Sequence, residues 1–176
     1  TALESTVYWR KTRHPALFLV MVMSFAESLL LKPYGFFVLP VFGYLVWEKW
    51  RFGLLKMWET YVFPLSVVPL VLWRWWILKF PEGIPASDWL FNKENIRFSG
   101  AFFHWIFEVR VASLILGIGL VLPLIFGLMK KGKDQFTYVL WGLCMLAYVS
   151  VFAGGNVQHD YYQVLLLPML CAVVGR

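Results

Sequence analysis

Long apolar runs separated by short polar junctions dominate the chain. They cover Pro15–Leu31, Tyr34–Trp47, Tyr61–Leu78, Val109–Met129, Gln135–Ala153 and Tyr161–Val174. A hydrocarbon layer about 30 Å thick takes roughly 20 apolar residues of helix to cross, so the pattern predicts an all-α, polytopic transmembrane helical bundle of about six spans. The second and last runs are short for that thickness, which predicts helices that are broken, packed against partners or truncated.

Between the third and fourth runs lies a long polar connection, residues 79–108. Its first part, Pro81–Trp89, is rich in turn formers. Its last part, Phe98–Val109, reads as a short helix lying in the membrane interface, with Phe98, Phe102, Trp105, Ile106 and Val109 on one face and Arg97, His104 and Glu108 roughly opposite. The same residues also fit the opening of the fourth span.

Composition removes the soluble alternatives. The 176 residues are 60% hydrophobic and 15% charged, and the mean hydropathy is +0.67, whereas soluble domains hold about 25% charged residues. No separate soluble domain fits, so residues 1–176 read as a single transmembrane region with residues 79–108 as a loop within it. The net charge of +6 is not spread along one polar face, which argues against nucleic acid. It gathers in short junctions: Arg10, Lys11 and Arg13; Lys49, Arg51 and Lys56; Lys130, Lys131 and Lys133. These fall on alternate sides of successive spans, so all can be cytoplasmic together. That arrangement puts the Lys32–Pro33 junction, the 79–108 loop and the turn from Gly154 to Gln163 on the extracytoplasmic side.

Tryptophan follows the same plan. Trp47, Trp50 and Trp58 flank the second basic cluster, and Trp73, Trp75 and Trp76 mark the outer end of the third span, as indole rings do at the headgroup level. Cys144 and Cys171 lie inside apolar runs without CxxC spacing or acidic or imidazole neighbours, and read as packing thiols, with no metal site. The chain starts at Thr1 without a secretory signal pattern and stops soon after its last apolar run, so both ends read as cut from something longer.

Ionisable groups in or beside hydrocarbon are costly and therefore mark function or structural pairing. In the first span Ser24, Glu27 and Ser28 form a polar stripe that leads to Lys32. Pro33 disfavours helical geometry at the residue before it, so Lys32 is expected at a rigid break. The second candidate is Asn156–Gln163, which sets an imidazole, a carboxylate, two phenols and amides against the last span. His159, Tyr161 and Tyr162 can donate to a phosphate oxygen, and Asp160 can accept from a sugar hydroxyl or orient His159. Structural readings stand beside both: a Glu27 neutralised by protonation or by Lys32, and a solvated interfacial turn. Arg74 is expected to snorkel and His14 to be solvated. Nucleotide-loop, zinc-protease, serine-hydrolase and dinucleotide motifs are absent.

The segments LLLKPYGFFVLP (Leu29–Pro40) and HDYYQVLLLP (His159–Pro168) resemble the C-terminal half of the membrane region of GT-C glycosyltransferases. The similarity is greatest to the family 39-like group of dolichyl-phosphate-mannose protein mannosyltransferases and bacterial aminoarabinose transferases. The resemblance implies transfer of a sugar from a polyprenyl-phosphate-linked donor to a lipid, glycan or protein hydroxyl, on the extracytoplasmic face of a plasma, inner or endoplasmic reticulum membrane. It implies donor-phosphate or substrate contacts at Lys32, His159, Asp160, Tyr161 and Tyr162; the reading of the residues themselves adds Arg97 to that set, with Glu27 and Gln163 in support. No further cofactor is required, and dependence on a divalent metal is left open. The acidic catalytic residues of that family sit in an earlier external loop that nothing here matches, so the base is expected upstream of Thr1 and this fragment is expected to be inactive alone. A secondary transporter or lipid flippase, and a noncatalytic membrane subunit, are the competing readings; the gathering of polar residues toward one face, not the midplane, argues against the transporter.

Overall fold

The computed structural model describes residues 2–84 and 88–176, so the middle of the turn-rich Pro81–Trp89 stretch lies outside the described residues. Every regular element among the described residues is helical. The chain folds as two compact units, Thr1–Pro85 and Ala86–Arg176, with the boundary inside the 79–108 connection.

The first unit opens with α1 (Ala2–Thr12), which buries Ser5, Thr6 and Trp9 against α2 (Pro15–Leu31). The chain turns at Arg13, whose φ is 56°, and His14 caps α2 by accepting the Ala16 N–H on Nδ1 at 3.2 Å. Pro15 at the first helical position loses no bond, because that N–H would lack an intrahelical acceptor. The spacing of Phe18, Met21, Phe25 and Leu29 gives α2 one continuous buried stripe. Phe25 packs edge-on against Phe42 at 5.4 Å and stacks on Phe63 at 5.3 Å, joining three elements in one aromatic core.

α2 stops at Leu31, where the predicted run stops. Lys32 is extended (φ −153°, ψ 126°), as the following proline requires. A 3₁₀ segment, Pro33–Val38, leads into α3 (Leu39–Trp50). After a second 3₁₀ turn, one helical run extends from Trp58 to Ile77: α4 (Trp58–Val62), a tight stretch around Pro64, and α5 (Val68–Ile77). Pro64 has no N–H to offer an α-type bond, which accounts for the tightening. These 20 residues are the one helix among the described residues that is long and apolar enough to cross a membrane. Its surface is largely uncovered, with Leu65, Val71, Leu72 and Trp73 all exposed. At its end Lys79 Nζ sits 4.7 Å from the Trp75 ring and 5.0 Å from that of Trp76.

The first two basic clusters meet in this unit. Arg10 pairs with Glu48 at 2.8 Å, Arg13 pairs with Glu59 at 2.5 Å, and Lys49 donates to the Arg10 carbonyl.

The second unit starts with short 3₁₀ turns, Asp88–Leu90 and Lys93–Phe98. Ser99 then caps α6 (Gly100–Phe103), which continues without a break as a wide π-helix to Ile115. The helix expected over Phe98–Val109 starts at Gly100 and runs past Val109 to Ile115. Its expected apolar face is divided: Phe102 and Ile106 are buried, Phe98 and Trp105 exposed. Gly117 and Ile118 adopt positive φ (55° and 60°) and break the predicted Val109–Met129 run before α7 (Val121–Met129). Next come α8 (Gln135–Val151), α9 (Ala153–Gln158), a 3₁₀ turn over Asp160–Leu165 and α10 (Leu167–Val174). Met145, Tyr148, Val149, Leu170 and Val173 form the core between α8 and α10. Arg176 ties this end together, donating to Asp134 at 2.8 Å and Gln135 at 3.0 Å.

Candidate functional site at the Asn156–Gln163 turn

The turn sits between two helices in the second unit, and its shape follows from bonds that its own residues make. α9 ends at Gln158, and its cap His159 is extended (φ −132°, ψ 131°) before the chain winds into Asp160–Leu165. Gln163, 2% exposed, closes the loop from below. Its Nε2 donates to the Asn156 carbonyl at 2.6 Å and to Asn156 Oδ1 at 3.2 Å, while Asn156 Nδ2 donates back one turn to Phe152 at 3.0 Å. From α8, Tyr148 donates its hydroxyl to the Tyr162 carbonyl at 2.9 Å, fixing the start of the last helical stretch.

Gly154 and its neighbour admit the polar connection from above. The Gly154 N–H donates to the Phe91 carbonyl at 2.7 Å, and a Cβ at Gly154 would run into the Trp89 carbonyl. That approach lays Trp89 edge-on over His159 at 5.3 Å and Tyr162 at 6.3 Å. His159 stacks with Tyr161 at 5.3 Å, and Tyr161 and Tyr162 lie 4.7 Å apart. Tyr161 is exposed and Tyr162 buried, so the cluster has one wet phenol and one packed ring.

Asp160 turns away from the role of orienting His159 and forms an ion pair with Arg110 of the π-helix. The Arg110 guanidinium also donates to the Val157 carbonyl at 3.1 Å and lies over the Trp105 ring at 5.4 Å. One side chain, 11% exposed, thus clasps the turn at two points, Val157 and Asp160. Arg110 is hidden in the sequence because Val109–Met129 reads as one apolar run. The available signal was a guanidinium inside a predicted span, which is costly there unless paired.

The other expected residues fall into place separately. Arg97 is half-buried and donates to the Val151 carbonyl at 3.4 Å, at the C-terminus of α8, where exposed carbonyls attract cations. Lys32 and Glu27 belong to the first unit. Lys32 Nζ lies 5.6 Å from the Tyr34 ring, and partial burial lowers its ammonium below the ordinary lysine range. Glu27 is exposed on the surface of α2. In the second unit, then, the structure assembles His159, Asp160, Tyr161, Tyr162 and Gln163 into one braced turn, with Arg97 at the neighbouring helix end.

No protein-family model, curated protein or solved structure matches the chain.

Proposed function

We propose that this chain belongs to a six-span, multi-pass membrane bundle, the C-terminal half of the membrane region of a GT-C type glycosyltransferase that uses a polyprenyl-phosphate-linked sugar. The observation that carries the reading is the braced turn itself: an imidazole, an exposed phenol and a carboxylate held at one end of an apolar helical unit. An apolar groove of about 340 Å³ runs through the same unit and takes in Leu166, one turn beyond Tyr162. A lipid-borne donor asks for this combination, a polar rim for its phosphate and sugar and an apolar channel for its chain.

The chemistry follows from where charge develops. When the bond from sugar to phosphate breaks, the departing polyprenyl phosphate gains negative charge, and fixed donors are most effective where water is scarce. His159 and Tyr161 supply those donors; Lys32, in the first unit, is proposed on its own account as a compact ammonium at a rigid break. Asp160, 63% exposed although paired to Arg110, retains acceptor capacity for a sugar hydroxyl. The residue that takes the proton from the acceptor hydroxyl is assigned to a part of the protein outside this chain.

The test uses the full-length protein in liposomes with a polyprenyl-phosphate-linked sugar. His159→Ala and Tyr161→Phe are each expected to slow transfer by about one to three powers of ten, the scale for losing one preorganised donor, with insertion unchanged. Wild-type turnover in both variants would assign the turn to structure alone.

A further inference from the structure

The first unit contains a second, chemically different feature, independent of the glycosyltransferase reading. A cavity of about 220 Å³ opens between α2, α3 and the Trp58–Ile77 run, walled by Trp9, Phe18, Met21, Phe42 and Phe63. Glu59 stands in this wall, 4% exposed. One of its oxygens, Oε1, is paired with Arg13 at 2.5 Å. The other, Oε2, is buried without a hydrogen-bond partner. Leaving a buried carboxylate oxygen unsatisfied is costly, so a ligand that donates to it has a built-in advantage.

We propose that this cavity binds the hydroxyl-bearing end of a neutral aliphatic alcohol, whose O–H donates a hydrogen bond to Glu59 Oε2. Three observations select that class. The wall is otherwise aromatic and aliphatic: Thr60 already gives its hydroxyl to the Leu54 carbonyl at 2.7 Å, and the indole Nε1 of Trp9 is a buried donor without a partner. A hydroxyl both donates and accepts, so it can serve Glu59 Oε2 and Trp9 Nε1 together, while its alkyl chain fills apolar space that a water leaves empty. An ammonium would enter a place already populated by Arg10, Arg13 and Lys49 against Glu48 and Glu59, so the donor that fits is uncharged. The size agrees: a dry cavity of about 150 Å³ admits benzene, and this larger one admits a single alkyl chain of roughly eight carbons.

The test is photolabelling of the full chain in phosphatidylcholine nanodiscs with a diazirine-bearing octanol, adducts being mapped by mass spectrometry. Adducts are expected on peptides carrying Trp9, Phe18, Phe42 or Phe63. Unlabelled 1-octanol should displace the probe at about ten- to a hundredfold lower bilayer mole fraction than octane, the gain from one hydrogen bond to a charged acceptor. Glu59→Met should erase that difference. Gly43 lies in the same wall, and a Cβ there meets open space. Gly43→Leu should therefore fill the cavity and abolish the adducts while the Arg13–Glu59 pair stays intact. If Glu59→Met does not fold, the alkane comparison and Gly43→Leu decide alone. Octane competing as well as octanol in the wild-type chain, or adducts persisting in Gly43→Leu, would overturn the proposal.

Discussion

Removing the Arg110 clasp gives the sharpest test of how the polar turn is held. Arg110 is 11% exposed and Asp160 63%, so the pair lies between two regimes. Exposed pairs contribute about 0–1 kcal/mol, whereas removing one partner of a buried pair costs about 3–5 kcal/mol. A coupling of about 1–2 kcal/mol is expected from that intermediate position. The two single substitutions should also differ in character. Asp160→Asn leaves a mostly buried guanidinium without its counter-charge, while Arg110→Met leaves a carboxylate that water can solvate but forfeits the Val157 bond and the Trp105 contact. The double variant Arg110→Met/Asp160→Asn should then be less destabilised than the sum of the two. Equilibrium unfolding in mixed micelles, followed by circular dichroism across the four proteins of the cycle, measures this directly. Additivity within about 0.5 kcal/mol would show that the two side chains act independently, and the clasp would be refuted.

Two further substitutions bear on the other parts of the account. Lys32→Arg and Lys32→Gln should both lose most transfer activity in the full-length protein, because a planar fork does not replace a compact ammonium at a fixed break; Glu27→Gln should lose less, and normal turnover in Lys32→Arg would make Lys32 an interfacial anchor. Gly154→Ala should destabilise the second unit by about 1–3 kcal/mol, since its Cβ meets the Trp89 carbonyl; unchanged stability in the same unfolding assay would count against that close approach.

Local chemistry decided what was legible in the sequence. α2 could be bounded to the residue because Pro15 sets its start and Pro33 forces Lys32 out of helical geometry. The helical character of all six apolar runs was legible from their length, but their interiors were not. The break at Gly117 and Ile118 depends on positive φ values that an apolar count does not register. The continuation of the helix from Phe103 through Ile115 erased a predicted end at Val109 for which the sequence offers no stop signal. The His159–Gln163 cluster was visible as a local concentration of polar groups beside an apolar run. Its supports were not, because Arg110 to Asp160 and Gly154 to Phe91 are pairings across large sequence separations. Glu59 escaped notice for a similar reason: it looks like a solvated residue beside a basic junction until folding places it against Arg13.

The central claim is that the Asn156–Gln163 turn faces the extracytoplasmic side of a multi-pass bundle whose basic junctions face the cytoplasm. In right-side-out vesicles, with Cys144 and Cys171 replaced by serine, single cysteines at Gln158 and at Gly132 are exposed to a membrane-impermeant maleimide. Gln158 is exposed at the end of α9, and Gly132 stands in the Lys130–Lys133 junction. The account predicts rapid labelling of Gln158→Cys and protection of Gly132→Cys until the vesicles are opened; labelling of Gly132→Cys with protection of Gln158→Cys would contradict both the topology and the side of the membrane on which the site is proposed to act.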